Sequence, residues 1–455
     1  MAAVVLAMMI CAVLAAAACV YQKPAHFPIF LLIAGLFIFG EEVGGGMNLS
    51  ALWLLVLAGL AVVALFRLPN RRVPLSIPEK AYMVFLAWAA LGAVRAPALT
   101  YSVRMFIKLA YPLLAMMLAR RAVLSGQAPD LRQAIKWVVV ASFCGFLLVG
   151  GFTQRFLPWI CWTAASFIWA CAAFADHLAI MGVVALAAWR VWGGKWYLAY
   201  AVAAGLSPVL AGIRTGIGAF VLGVSVLVLL SYRKAVSLPL LAGIVFLGAA
   251  SILFVPSVKA HMFHDADSVD SADALRNPTG ISLDNVNNSG REMLWTMVLG
   301  ELWEPSPLTG SGLGSVQHFM YSQTVTVIKA VHNSYVELLS DTGLIGLGLW
   351  LLAVACCLRE AWLALRRDGR PTTRVLALST LAGFPALMFC MGFDNVVNYA
   401  LVAGQYPFAF MGLVAGLAQT RPGDEVMQAC DNPSVTPGRR RACGRDGSLA
   451  PRRQR

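Results

Sequence analysis

Three side chains stand where charge or a proton could be handled: Arg214, Arg291 and His332. His332 and Asn333 directly precede the amphipathic stretch "SYVELLSD", and a glycine break at Gly343 separates that stretch from a long apolar run starting at Leu344. On helical spacing Tyr335, Leu338 and Leu339 form an apolar stripe, with His332 one turn before Tyr335; Ser334, Glu337 and Asp341 project elsewhere, and a solvated face is the plainer reading for Glu337. Arg291 follows Gly290 at the start of an expected helix reaching Leu302, with Ser289 as its cap. Backbone N–H groups and a bidentate guanidinium converge at such a point and make an anion site. Arg214, in "AGIRTGIGAF", interrupts two apolar runs. A charge there is expected to face protein or water rather than lipid, and Gly212, Gly216 and Gly218 let helices or a bulky ligand come close. Two fixed positive charges suit a diphosphate. Histidine, with an ordinary pKa of about 6.5, is the side chain that can take or pass a proton near neutral pH. Plainer readings stand beside these: an interfacial helix capped by Asn333, a surface arginine at 291, and a snorkelling one at 214.

The elements that must position these residues are apolar helices. Hydrophobic residues make up 59% of the chain and charged ones 13%, with a mean hydropathy of +0.73. Continuous apolar runs bounded by charge recur from one end to the other, and roughly 20 such residues cross a bilayer. The runs lack the alternation of a β-barrel. The fold class expected is an all-α polytopic membrane protein of about 12–13 transmembrane helices, with one large loop between late helices. The first run lacks a basic leader and reads as a retained helix. Residues 1–255 read as N-terminal transmembrane helices and 256–343 as the large loop carrying the motifs. Residues 344–420 read as C-terminal transmembrane helices and 421–455 as a basic, disordered tail.

Basic clusters at 67–80, Arg120 with Arg121, Arg233 with Lys234, and 366–374 fall in alternate loops. The positive-inside rule puts them, and the C-terminus, in the cytoplasm and the 256–343 loop on the opposite side. The +13 net charge is therefore a topology signal, and no nucleic-acid partner is expected. None of the ten cysteines lies in the large loop, so it must fold by packing on the helices. There is no glycine-rich phosphate loop and no Cys/His metal spacing, so neither cofactor nor metal is expected. The acidic set His261, His264, Asp265, Asp267, Asp270 and Asp273 could hold a divalent cation, but a solvated loop is preferred. Trp159, Trp162 and Trp169 fit a lipid-chain groove or an interfacial aromatic belt. Asp394, Asn395 and Asn398 lie at the outer end of the last hairpin, where they could face the same cavity.

A diphosphate site on the outer face of a membrane points to a glycan carried on a polyprenyl diphosphate. The motifs agree. "HNSYVELLSDTGLIGLGLW", "SGREMLW" and "PLTGSGLGS" resemble the signature elements of the O-antigen ligase and polysaccharide polymerase superfamily. "GIRTG" resembles its earlier arginine motif, with Ile213 where a serine is usual. The resemblance covers roughly residues 205–360. It implies a multi-pass protein of the bacterial inner membrane with a periplasm-facing site and an undecaprenyl-diphosphate-linked glycan donor. The acceptor would be lipid A–core for a ligase or another glycan repeat unit for a polymerase. By residue, Arg214 and Arg291 would bind the diphosphate and His332 would activate the acceptor hydroxyl, with inversion and without a metal. Asn333, Glu337, Tyr335 and Gly290 would contact substrate. A lipid-linked glycan transporter is the alternative of a different class. It needs ionisable groups deep in several helices, for which Lys108, Asp176 and His177 are the candidates. Oligomeric state is not legible.

Overall fold

The computed structural model describes residues 2–34, 49–69, 73–149, 171–211, 213–265, 269–276, 287, 290–322, 330–398 and 400–420. They form helices: α1 Ala2–Gln22, α2 Phe27–Ala34, α3 Leu49–Arg67, α4 Ile77–Gly92, α5 Leu99–Leu124, α6 Leu131–Val149, α7 Cys171–Trp192, α8 Lys195–Ala211, α9 Arg214–Ser231 and α10 Lys234–Phe254. Short helices follow in the large loop: α11 Pro256–Met262, α12 Ser271–Arg276, α13 Arg291–Val298 and α14 Ser315–Ser322. The chain then returns through α15 Ser334–Arg367, α16 Pro371–Phe393, a π-helical turn Ala400–Gly404, and α17 Tyr406–Leu417. Among the described residues there is no strand, and the protein is an all-α, multi-pass membrane protein.

Eight of the described helices are long and apolar enough to cross a membrane, and three shorter apolar ones cover parts of α1 to α3. The apolar stretches around α2 and before α7 extend into residues outside those described. The segment Ala400–Leu417 is buried along its whole length and α16 over most of it, so these two form the centre; α10 is the most peripheral span. Close approach at the centre depends on small residues. A methyl on Gly412 would stand 2.1 Å from the Met116 carbonyl of α5.

The end of the bundle opposite the large loop is fastened by charge. Ser76 and Glu79 cap α4 reciprocally, and Glu79 also takes a 2.8 Å ion pair from Arg120, which donates further to Pro74 O and Gln419. Arg120, expected as an orienting loop charge, is thus a buried clamp between α4, α5 and the end of α17. In the α15–α16 turn, Asp368 accepts from Arg370 and Thr373. Partial burial works against its charged form, but those bonds outweigh it and hold the carboxyl below its usual range.

The feature that shapes the loop end is a break in α15. Gly343 has φ 70° and ψ −175°, so the helix stops and restarts there, as the glycine in the sequence suggested. A broken helix leaves amides and carbonyls without partners, which is costly away from water. The loop 307–312 takes four of them, and Trp88 Nε1 of α4 donates to another, the Thr342 carbonyl, at 2.9 Å. Leu344 and Ile345 donate to the carbonyls of Pro307 and Leu308 at 2.9 and 3.2 Å. The carbonyls of Ser340 and Asp341 accept from Ser311 and Gly312 at 2.8 and 3.2 Å. Gly310, also at φ 70°, lets the two backbones approach, since a methyl there would lie 2.6 Å from the Asp341 backbone.

The solvated face expected for Glu337 is corrected, since that side chain is 1% exposed and accepts from Gln317. Ser334, Glu337 and Asp341 are all buried: α14 and its preceding glycine-rich turn meet Glu337 and Asp341, while the segment from Asp394 to Val397 meets Ser334. Asp341 accepts from the amides of Gly314 and Val316 at 2.7 and 2.9 Å and so caps α14. The loop is also tied to the α4–α5 corner: Ser102 Oγ donates to Leu313 O at 2.6 Å, and Arg95 donates to Thr309 through both terminal nitrogens. Gly343→Ala places a methyl 2.3 Å from the Leu308 carbonyl oxygen. It should lower stability in detergent by more than about 1 kcal/mol. Gly348→Ala, with open space around it, should leave the melting temperature unchanged or higher.

Candidate functional site

His332 stands at the start of α15 in a backbone conformation rarely used by side chains larger than glycine, with φ 50°. Its neighbour explains how the turn is held. Asn333 Oδ1 accepts from the amides of Tyr335 and Val336 at 3.0 and 3.1 Å, capping α15 and ending the helix just short of the histidine. The imidazole is one-third exposed and its Nδ1 lies 3.3 Å from Asp394 Oδ1, with Asn395 Nδ2 at 3.4 Å from the same nitrogen. Asp394 is the residue at which α16 ends; its Oδ1 also accepts from the Asn395 amide at 2.7 Å. Ser334 Oγ donates to the Asp394 carbonyl at 3.0 Å and accepts from the Val397 amide at 3.3 Å. The His332 segment and the Asp394 segment are therefore stitched together on both backbone and side chain.

Helix α13 grips the same two segments. Arg291 Nη1 donates to the Phe393 carbonyl at 2.7 Å, directly before Asp394. Trp295 Nε1 donates to the Val331 carbonyl at 2.9 Å, directly before His332. One turn of helix thus carries an anchor to each side of the His332–Asp394 pair, which explains the spacing of "GREMLW". The apolar cluster of Leu294, Val298, Val316, Met320, Val331 and Val336 holds α13 and α14 against α15. The helix continues past Val298 as a π-helical turn to Trp303, close to the expected end at Leu302. Gly290 precedes it at φ 73° with open space around its α-carbon, while the expected cap, Ser289, lies outside the described residues.

Arg214 begins α9 at the same end of the bundle. Its Nη1 donates to the Asn287 carbonyl and lies 3.9 Å from Met262 Sδ, and it is within electrostatic reach of Arg291. Ile213 at the N-cap offers no side-chain bond. The two arginines and the histidine predicted from separate motifs thus share one region. Of the other expected contacts, Gly290 is exposed. Asn333 is occupied as a cap, and Tyr335 Oη donates to Met388 O at 2.9 Å. Glu337 is 1% exposed and accepts from Gln317 and Asn398.

The sequence placed Asp394 at the correct end of a hairpin but gave no sign of its partner; an acid at the end of a long apolar run was the signal available. It also understated the buried charge. Besides Asp176 and His177, the groups Glu79, Arg120, Glu337, Asp341 and Asp394 are buried, and Lys108 is half-buried. Asp176 lies within electrostatic reach of Asp394 and Arg291, and His177 Nδ1 bonds the Val402 carbonyl at 2.8 Å against the Tyr406 ring. Among the described residues no group of three or more His, Cys, Asp or Glu is placed to hold a metal ion. Asp267 and Trp159, Trp162 and Trp169 lie outside those residues.

Trp295→Phe keeps the apolar packing and removes the bond to Val331 O. Amide hydrogen exchange over residues 330–334 should rise roughly fivefold, as expected for losing a bond worth about 1 kcal/mol, with exchange in α16 unchanged. Equal protection in the variant would mean that the indole does not hold the histidine turn.

A comparison with curated proteins finds no match. Residues 199–351, which contain Arg214, Arg291, His332 and the break at Gly343, match the family model described as O-antigen ligase, the superfamily that the motifs resemble.

Proposed function

We propose that the protein is an inverting glycosyltransferase of the bacterial inner membrane. It moves a glycan from an undecaprenyl-diphosphate-linked donor to an acceptor hydroxyl at the periplasmic face, with the C-terminus in the cytoplasm. The match over residues 199–351 supports a function of the O-antigen ligase and polymerase kind. The observation that carries the reading further is the His332–Asp394 pair with Arg291 and Arg214 beside it, at one end of a membrane bundle.

In this reading the ring donates from Nδ1 to Asp394 Oδ1, leaving Nε2 to accept a proton. The acceptor hydroxyl attacks the anomeric carbon from the side opposite the diphosphate. Its proton passes to His332 Nε2, the new glycosidic bond forms, and the bond from the anomeric carbon to the phosphate oxygen breaks. The diphosphate leaves with the bonding electrons, and Arg214 and Arg291 stabilise its charge. A diphosphate is already a good leaving group, so positioned charge and orientation are the main demands, and the reaction calls on no metal or cofactor. Gly290 lets the donor approach the start of α13, and Asn333, Tyr335 and Glu337 shape the site from behind.

Arg291→Ala and His332→Ala should each lower glycan transfer about 10²-fold or more while inserting normally. Full transfer by both variants would end the proposal. Ligase and polymerase differ in the acceptor, and a host lacking the protein distinguishes them. We take ligase as the primary reading, so full-length polymer should accumulate on undecaprenyl diphosphate, visible by gel and mass spectrometry. Single repeat units accumulating there would assign polymerase instead. Transfer by purified protein in detergent, with no membrane gradient, would count against a transporter.

A further inference from the structure

Behind the His332–Asp394 pair lies a polar cluster that the proposed chemistry does not use. Lys108 Nζ donates to Asn398 Oδ1. Gln317 Nε2 donates to the same oxygen at 2.6 Å and to Glu337 Oε1 at 3.2 Å. Asn398 Nδ2 donates to Glu337 Oε2 at 3.1 Å. The Asn398 amide therefore sits between an ammonium and a carboxylate with its oxygen toward the cation and its N–H toward the anion. Four segments meet here: α5, α14, α15 and the link between α16 and the π-helical turn. Lys108 is nine residues into α5, about 14 Å along its axis. It borders a small cavity shared with Tyr82, Trp350, Leu387, Met391 and Phe408.

A charge in such surroundings is expensive and calls for a function. Stability is a poor explanation, because well-packed apolar residues of similar volume hold buried segments as well as or better than an ion pair. What an ion pair bridged by an oriented amide gives is register. Asn398 lies four residues after Asp394, and Glu337 lies five residues after His332. Each end of the cluster is thus on the same short segment as one member of the reactive pair. Gln317 adds α14, whose N-terminus is capped by Asp341 of α15.

We infer that Lys108, Asn398, Glu337 and Gln317 form a positioning network that fixes the His332 and Asp394 segments in register. Lys108 and Glu337 act through the reactive pair and do not touch the substrate. The inference rests on the proposed transfer reaction, because its effect is read as turnover.

The test uses the full chain in detergent with an undecaprenyl-diphosphate-linked glycan and its acceptor. Lys108→Met and Glu337→Gln each leave one group of the pair unmatched and should lower the yield of folded protein. The double variant K108M/E337Q removes both charges and should fold at the wild-type level. Its turnover should nevertheless fall ten- to a hundredfold, as expected for a small misplacement of reacting groups, with the donor KM unchanged. A purely structural cluster would give the folded double variant normal turnover, and that result overturns the inference. Should the double variant not fold, Gln317→Leu decides, because it removes one neutral donor and leaves the charges in place. Loss of turnover at constant KM supports the network, and unchanged turnover rejects it. No transfer by the wild-type protein would instead refute the proposed reaction.

Discussion

Everything at the loop end of this protein depends on the break in α15. A backbone that leaves helical geometry away from water must find partners for each freed amide and carbonyl. Here the partners at Ser340, Asp341, Leu344 and Ile345 come from a single turn, residues 307–312. The requirement works in both directions. The turn supplies the helix with hydrogen bonds, and the helix fixes where the turn, and the short helices on either side of it, must sit.

The consequences run outward from that junction. Asp341, at the break, caps α14, and α14 meets Glu337 through Gln317. Helix α13 packs on α14 through a small apolar cluster and reaches across to Val331 and Phe393 with one tryptophan and one arginine. A segment without disulfides is thus held by backbone pairing, one cap and a few apolar side chains, and it delivers a histidine in a strained backbone conformation to the end of another helix. Such strain persists only where its surroundings over-determine it, and Asn333, Ser334 and Trp295 do so.

Charge is distributed in two ways. At one end, Arg120, Glu79, Asp368 and Arg370 hold helix termini together. At the other, Arg214 and Arg291 donate to the neutral backbone carbonyls of Asn287 and Phe393. Neutral acceptors orient an arginine without cancelling it, and that suits a site meant for an anion.

The sequence by itself determined the membrane class, since apolar runs of spanning length have few other uses. It also pointed to the α15 break, since Gly343 separates the amphipathic stretch from the apolar run and can take that backbone conformation, and to the three motif residues, through charge in apolar context. It misjudged the surroundings of Glu337, because helical periodicity separates two faces of a helix without saying what covers the polar one. Asp394 could be placed at a helix end but not paired, because it meets His332 across 62 positions of chain. Lys108 could be recognised as out of place, yet the amide it bonds, Asn398, lies 290 positions away. Local periodicity and single-residue conformation are written along the chain. Which buried polar groups satisfy one another is decided only when distant segments are brought together, because each group must find its partner among whatever the packed neighbours present.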